Sequence, residues 1–365
     1  MNTDKLKEIL AQISAAEQET NTQKYLQDLL SGLNELVNQP QNPDLQTRLV
    51  ERLRQLNQAL ERFYDTFSPQ DYRRLLEMSE IAFSKSIPED VRALIEENPI
   101  SPNVVAQYVQ QLHSDRGLVF NNTTQLLQNL EFLQFGFEKV EEDSAELGFQ
   151  IPRELFEDRY DGFIKELNEI RRMVRIVSEA AVGDYQPPRV GSISTTDPLI
   201  FLEVAIPVAK VFGAAVTWGI GVWYSVEQIR KVRAQTAQIS AFTEAEIKKI
   251  FDTKIQEQID TSVDEKIASM LENNRLHKTR RPELEVQLKW VLESLLAKME
   301  RGFTVELRLP PPPEELEDRD ESGEHSDSEA QNHNDLVEIQ KQLVFPSPNA
   351  NPVLEIPKLD GDGDD

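Results

Sequence analysis

The spacing of hydrophobic positions along this chain changes several times, and each change marks a different kind of element. Leu49, Leu53, Leu56, Leu60, Phe63 and Phe67 recur in steps of four and three, which sets them on one side of a helix. Residues 1–114 read as a helical domain of this kind. Ser68-Pro69 and Ser101-Pro102 each look like an N-cap followed by proline at the first helical position, where the missing N–H does no harm. Pro40, Pro43, Pro88 and Pro99 mark breaks between helices.

After Leu130 the period drops to two. Phe135, Phe137 and Lys139 alternate with Gly136 and Glu138, and Leu147, Phe149 and Ile151 alternate with Gly148 and Gln150. With the polar stretch from Glu141 to Ala145 between them, these runs predict a β-hairpin. Arg189 to Thr196, rich in β-branched residues and preceded by Pro187-Pro188, predicts a third strand. The edges of so small a sheet need cover from helices. Between hairpin and strand, Phe156, Tyr160, Phe163, Leu167, Ile170, Val174, Val177 and Ala181 step by four and three as a heptad seam. This predicts one helix over 154–181, ended at Gly183 by a left-handed C-cap. The seam needs a partner helix, from the same chain or from a second subunit. Residues 115–196 are thus expected to form a small α+β region.

From Leu199 to Val226 the chain carries only two charges, Glu203 and Lys210. Thr196-Asp197-Pro198 supplies a cap and a leading proline, so the run predicts one apolar helix, kinked at Pro207. A further helix is expected from Thr243, where Thr243 and Glu246 have capping-box spacing. Its apolar residues Ile247, Phe251, Ile255, Ile259, Val263, Ile267 and Leu271 are each four apart, so the stripe drifts around the helix and no single straight partner covers it. Pro282 to Arg301 predicts another helix, and the alternation of Phe303, Val305, Leu307 and Leu309 predicts a strand stopped by Pro310 to Pro313. These elements make up a region over 197–309.

Carboxylates dominate from Glu314 to Asp335, with Arg319 the one basic residue among them, so 310–335 reads as a disordered acidic linker. Apolar residues return at Leu336 to Phe345 and Pro352 to Leu359. The tail 336–365 either docks back onto the body or stays free. The fold class expected is mainly α: an N-terminal helical bundle, a small central antiparallel β element packed with long helices, and a disordered acidic C-terminal linker. No internal repeat is visible.

Charge and composition narrow the function. The chain has 39 basic and 64 acidic residues, a net charge of −25. Phosphate backbones would repel it overall, so nucleic acid is not an expected partner. With no cysteine, disulfides, thiolate catalysis and Cys-based zinc sites are excluded. The absence of cysteine fits the cytoplasm, and the N-terminus begins as a charged amphipathic helix without the apolar core of a secretory signal.

Candidate chemistry is sparse. Gly213 to Gly221 lacks the Gly-Lys-Ser/Thr of a phosphate loop. His113, His277, His325 and His333 show no helical metal-pair spacing; His325 and His333 are weak metal candidates in a solvated stretch. Asp360, Asp362 and Asp364 begin like a calcium loop but lack the closing glutamate. Arg275, His277, Lys278, Arg280 and Arg281 suit a helix C-terminus better than an anionic partner. No cofactor and no metal are expected, and catalytic residues are not identifiable.

The apolar run decides between water and membrane. Val211 to Val226 is uncharged, Lys210 could snorkel, Trp218, Trp223 and Tyr224 gather as an aromatic belt would, and Arg230, Lys231 and Arg233 follow. Gly213, Thr217 and Gly221 form a stripe suited to close helix contact. Against a span, Glu203 and Lys210 are seven apart and would share a helix face with Thr217, a stripe that lipid penalises. The reading favoured is a buried core helix. The chain is therefore expected to be a non-enzymatic, oligomeric interaction or assembly protein, acting through a protein partner or self-association. A protein that enters membranes through 199–226 is the alternative, and an enzyme with a scattered site the third.

Overall fold

The computed structural model describes residues 3–98, 101–133, 140–141, 143–194, 198–236, 244–272, 280–310, 323–348, 352 and 354–357. The chain divides into two compact units, Met1–Phe137 and Glu138–Asp365. Among the described residues it is mainly helical, with thirteen helices and one small antiparallel sheet.

Unit 1 comprises α1 (Thr3–Thr20), α2 (Thr22–Asn38), α3 (Pro43–Asp65), α4 (Pro69–Met78), α5 (Glu80–Phe83), α6 (Ile87–Glu97) and α7 (Pro102–Phe132). Local chemistry sets its joints. Asn21 takes a left-handed backbone (φ 53°) between α1 and α2. Asn42 caps α3 through Asp44 N–H at 3.1 Å, and Ser68 caps α4 through Asp71 N–H at 3.1 Å, each with proline at the start of the helix. Ser101 precedes Pro102 without a side-chain cap bond. The α3 stripe packs as its spacing requires: Leu49, Leu56, Leu60, Phe63 and Phe67 are buried, and Leu53 is packed against them.

Unit 2 comprises β1 (Ser144–Gln150), α8 (Arg153–Phe156), α9 (Tyr160–Val182), β2 (Arg189–Ser194), β3 (Leu199–Ala205), α10 (Ile206–Thr236), α11 (Glu244–Leu271), α12 (Arg281–Met299), β4 (Thr304–Arg308) and α13 (Gly323–Gln342). The strands lie in the order β2-β3-β1-β4, all antiparallel. Ala145, Leu147 and Phe149 of β1, Ile200, Leu202 and Val204 of β3, and Val305 and Leu307 of β4 turn into one core. On the alternate positions Arg308 lies over the Phe201 ring at 4.4 Å and pairs with Glu146 at 2.6 Å. Gly148 leaves room for that ring: a Cβ there would meet Phe201 at 2.5 Å.

The structure corrects three expectations. First, the hairpin: Phe135, Phe137 and Lys139 lie outside the described residues, and β1 pairs instead with β3 and β4, which come from far along the chain.

Second, the helix over 154–181 is two helices. Glu157 and Asp158 adopt positive φ (52° and 55°), and the chain doubles back so tightly that a Cβ at Gly162 would meet the Phe156 carbonyl oxygen at 2.7 Å. The heptad spacing survives because the turn still sets the Phe156 ring against Phe163, with centroids 5.3 Å apart. Gly183, at φ 79°, is the left-handed C-cap of α9.

Third, the apolar run does not begin as a helix. Leu199 to Ala205 is strand β3, and the helix starts at Ile206. Leu199 and Phe201 are buried on one face of the sheet and Ile200, Leu202 and Val204 on the other, so the strand reads as a continuous apolar run without alternation. Pro207 then falls in the first turn of α10, where its missing N–H breaks no helical bond and makes no kink. In the acidic stretch, α13 begins at Gly323, so the part of it that is described is helical.

Candidate functional site

Helix α10 is the axis of unit 2. It is apolar around most of its circumference. Its own chain covers it with α9, α11, α12, α13 and strands β1, β3 and β4. Val208, Ala209, Phe212, Ala215, Val216, Trp223 and Val226 are buried, and Phe212 meets Phe149 edge-on at 5.4 Å. It is also long and apolar enough to cross a membrane over Ile206–Arg233; 56 % of its most apolar window is buried, as in the core helix of a soluble protein.

The residues singled out by sequence disperse around this axis. In the seam, Ile170, Val174 and Val177 are buried, Phe156 nearly so, Phe163 and Leu167 are packed at the margin of the core, and Tyr160 is 77 % exposed. Helix α9 lies against α10 and α12 of the same chain. Glu203 is on β3, not on the helix, and accepts a hydrogen bond from Ser144 Oγ at 3.1 Å. It therefore shares no helical face with Lys210, whose Nζ reaches Asp335 at 2.5 Å and Asn332 at 3.2 Å on α13. The hydrogen bond from Lys210 holds the Asp335 carboxyl below its ordinary range.

The small-residue stripe also splits. A Cβ on Gly213 would meet Ile339 of α13 at 2.6 Å, whereas one on Gly221 would meet nothing. Thr217 Oγ1 between them is buried without a hydrogen-bond partner among the described residues. Trp218 packs at the margin of the core, Trp223 is buried, and Tyr224 is exposed. Arg230 is drawn inward to Glu227 and the buried Glu300. Arg280 and Arg281 stand at the start of α12, not at a helix C-terminus; Arg280 grips Glu179 with two bonds of 2.6 and 3.0 Å.

Two features were not singled out by sequence. A cleft of about 460 Å³ opens between α9, α10, α11 and α13, floored by Val211, Ala214, Met270 and Ile339, with Lys210 and Lys266 at its polar margin. Burial lowers the pKa of Lys266.

The second is a groove at the end of α12, filled by the C-terminal segment. Leu336, Leu343 and Phe345 are buried against the body. Gln340 Nε2 donates to Leu307 O at 2.8 Å. Farther on, the body holds the backbone of Leu354 and Pro357. Leu354 N–H donates to Glu300 Oε2 at 2.8 Å, Arg301 donates to Leu354 O at 2.7 Å, and Trp290 Nε1 donates to Pro357 O at 3.1 Å. The Leu354 side chain lines a small apolar notch with Val222, Trp223, Val226, Ile259 and Leu296. Gly302, at φ 92°, turns the chain beneath the segment, and a Cβ there would meet Pro348 at 3.0 Å. The Glu300-Arg301-Gly302 sequence at the end of a predicted helix was the available signal, but it looks the same in any capped helix.

Below the groove, Lys298 is fully buried, bonded to Glu166 and 2.8 Å from Glu169. Burial raises the pKa of Glu166, against the opposing pull of Lys298. Among the described residues no three His, Cys, Asp or Glu side chains gather as metal ligands. No known protein family, curated protein or solved structure matches this chain.

Proposed function

We propose that this chain is a non-enzymatic, mostly helical interaction or assembly protein of the cytoplasm, working through a protein partner or a second copy of itself. The observation that carries the reading is the cover on α10: four helices and the sheet of the same chain pack against it, and 56 % of its most apolar window is buried. The packing of the C-terminal segment over Gly213 and Glu300 supports it further, because that surface is shaped to hold polypeptide. Expression without detergent, followed by fractionation and mass measurement in solution, tests the reading. A monodisperse oligomer in the soluble fraction is expected; carbonate-resistant pelleting with membranes would overturn it.

A second reading, insertion of α10 into a bilayer, is favoured by the length of Ile206–Arg233 and the mean hydropathy of 1.4 over its most apolar window. Its mark would be leakage of anionic vesicles that increases when 323–365 is deleted. Unchanged leakage would count against it.

A further inference from the structure

We infer that the cleft between α9, α10, α11 and α13 binds a single-chain anionic amphiphile, with its hydrocarbon on the apolar floor and its carboxylate on Lys266. The inference goes beyond the reading of the chain as an interaction protein, because it needs no protein partner. The cleft exists because small residues line it. Ala180 and Ala181 of α9 and Ala214 of α10 stand where longer side chains would close the space between packed helices. Val211 and Ala214 are three apart on α10, and Lys266 and Met270 are four apart on α11, so each helix turns one face to the cleft. Its volume of about 460 Å³ falls within the range of roughly 300 to 1,000 Å³ common to small-ligand sites.

The charged groups that line the cleft, Lys210, Lys266, Asp335 and Glu338, select the ligand. Lys210 is engaged, with Asp335 at 2.5 Å and Asn332 at 3.2 Å. Glu338 is exposed to water. Lys266 is partly buried and has no hydrogen bond or ion pair among the described residues. Burial holds its pKa below the ordinary value, with no anion among those residues opposing the shift. An ammonium drawn out of water beside an apolar floor is stabilised by an anion that brings its own apolar body. One ammonium balances one carboxylate. A phosphate would bring a second charge towards Glu338, and the cleft offers no second unengaged cation among the described residues.

The test titrates the full chain by isothermal calorimetry with decanoate, decanol and decyltrimethylammonium, three probes that share a hydrocarbon tail and differ in charge, each below its micelle concentration. Decanoate is expected to bind at one site per chain, about ten-fold more tightly than decanol. Lys266→Met is expected to remove that difference and to leave decanol binding unchanged, while Lys266→Arg keeps most of it. Ala214→Leu fills the floor without touching the charge, so it is expected to weaken decanoate and decanol alike. Absence of decanoate binding, equal decanoate affinity in the wild type and Lys266→Met, tighter binding of the cationic probe, or an Ala214→Leu chain that binds as the wild type does overturns the proposal. Should Lys266→Met fail to fold, the wild type decides: decanoate bound no more tightly than decanol has the same meaning.

Discussion

Unit 1 buries Lys5 beside Asp71, but the most deeply buried cation of each unit, Arg116 and Lys298, is held by opposite means. In unit 1, Arg116 of α7 is 1 % exposed and donates to neutral acceptors, the Ala82 carbonyl and Thr22 Oγ1 at 2.8 Å, while its guanidinium lies over the rings of Phe63 and Phe120 at 5.8 and 5.2 Å. In unit 2, Lys298 is met by two carboxylates, Glu166 and Glu169. The difference follows from the ions. A guanidinium spreads its charge over a planar fork that suits carbonyls and ring faces, whereas an ammonium is a compact charge that keeps its proton in a core only beside anions. Arg116 therefore ties α2, α5 and α7 together without an acid in direct contact; Lys298 commits unit 2 to a charged cluster linking α9 to α12.

Breaking the charged cluster is expected to have the largest effect. Lys298→Ala leaves two carboxylates buried without their cation, which costs about 4 kcal/mol. The chain's three tryptophans, Trp218, Trp223 and Trp290, all lie in unit 2, so their fluorescence during urea denaturation reports that unit alone. Replacing the whole cluster with Lys298→Met, Glu166→Leu and Glu169→Leu is expected to restore most of the loss. A Lys298→Ala midpoint equal to that of the wild type would mean that the cluster is solvated. Arg116→Met, which keeps most of the volume but loses two hydrogen bonds, is expected to cost about 2 kcal/mol. It should move the helical circular dichroism transition of unit 1 and leave the tryptophan signal in place; a shift in both signals would show that the units unfold together.

The same contrast explains what the sequence made legible. Helices in unit 1 and the α9 seam announce themselves because one face is buried and the other wet, so the period shows in Leu49 to Phe67 and in Ile170 to Val177. Gly183 and the alternation around Val305 were readable for the same local reasons. Strand β3 was not: buried on both faces, Leu199 to Ala205 has no period and merges into the equally apolar α10. The groove and the buried cations were out of reach for a different reason. Trp290, Glu300 and Leu354, or Glu166 and Lys298, meet only in space, and each alone looks like an ordinary residue of a helix or a tail.

A glycine pair on α10 sharpens the comparison at lower energy. Gly213→Val puts a Cβ into Ile339 and is expected to cost about 1 to 2 kcal/mol, with the C-terminal segment becoming easier to cleave by protease. Gly221→Ala meets open space and removes a flexible residue from a helix, so it should stabilise unit 2 by about 0.5 kcal/mol. Were this stripe a membrane helix contact, both changes would impair the protein alike.

Acid provides the smallest effect and the one with opposite signs in the two units. Asp71 in unit 1 is buried, which alone would raise its pKa, but Lys5 at 2.9 Å and Arg74 at 3.0 Å outweigh this and hold it below the ordinary 3.8. Its contribution is present above the unfolded value and is lost as pH falls through the depressed folded value. Glu166 is raised above 4.5 by burial, although Lys298 and Lys165 pull it down; Glu169 pushes the same way as burial. A raised carboxyl contributes stability that is fully present below the unfolded value and is lost as pH rises through the folded one. Acidification from neutrality towards 4.5 should therefore strengthen this part of unit 2, and further acidification below 3.8 should weaken unit 1. Asp71→Asn is expected to flatten the acid limb of the unit 1 transition, and Glu166→Gln the gain seen by tryptophan fluorescence. If Glu166→Gln leaves the tryptophan transition with the same dependence on pH as the wild type, burial of Glu166 is not the source of the gain.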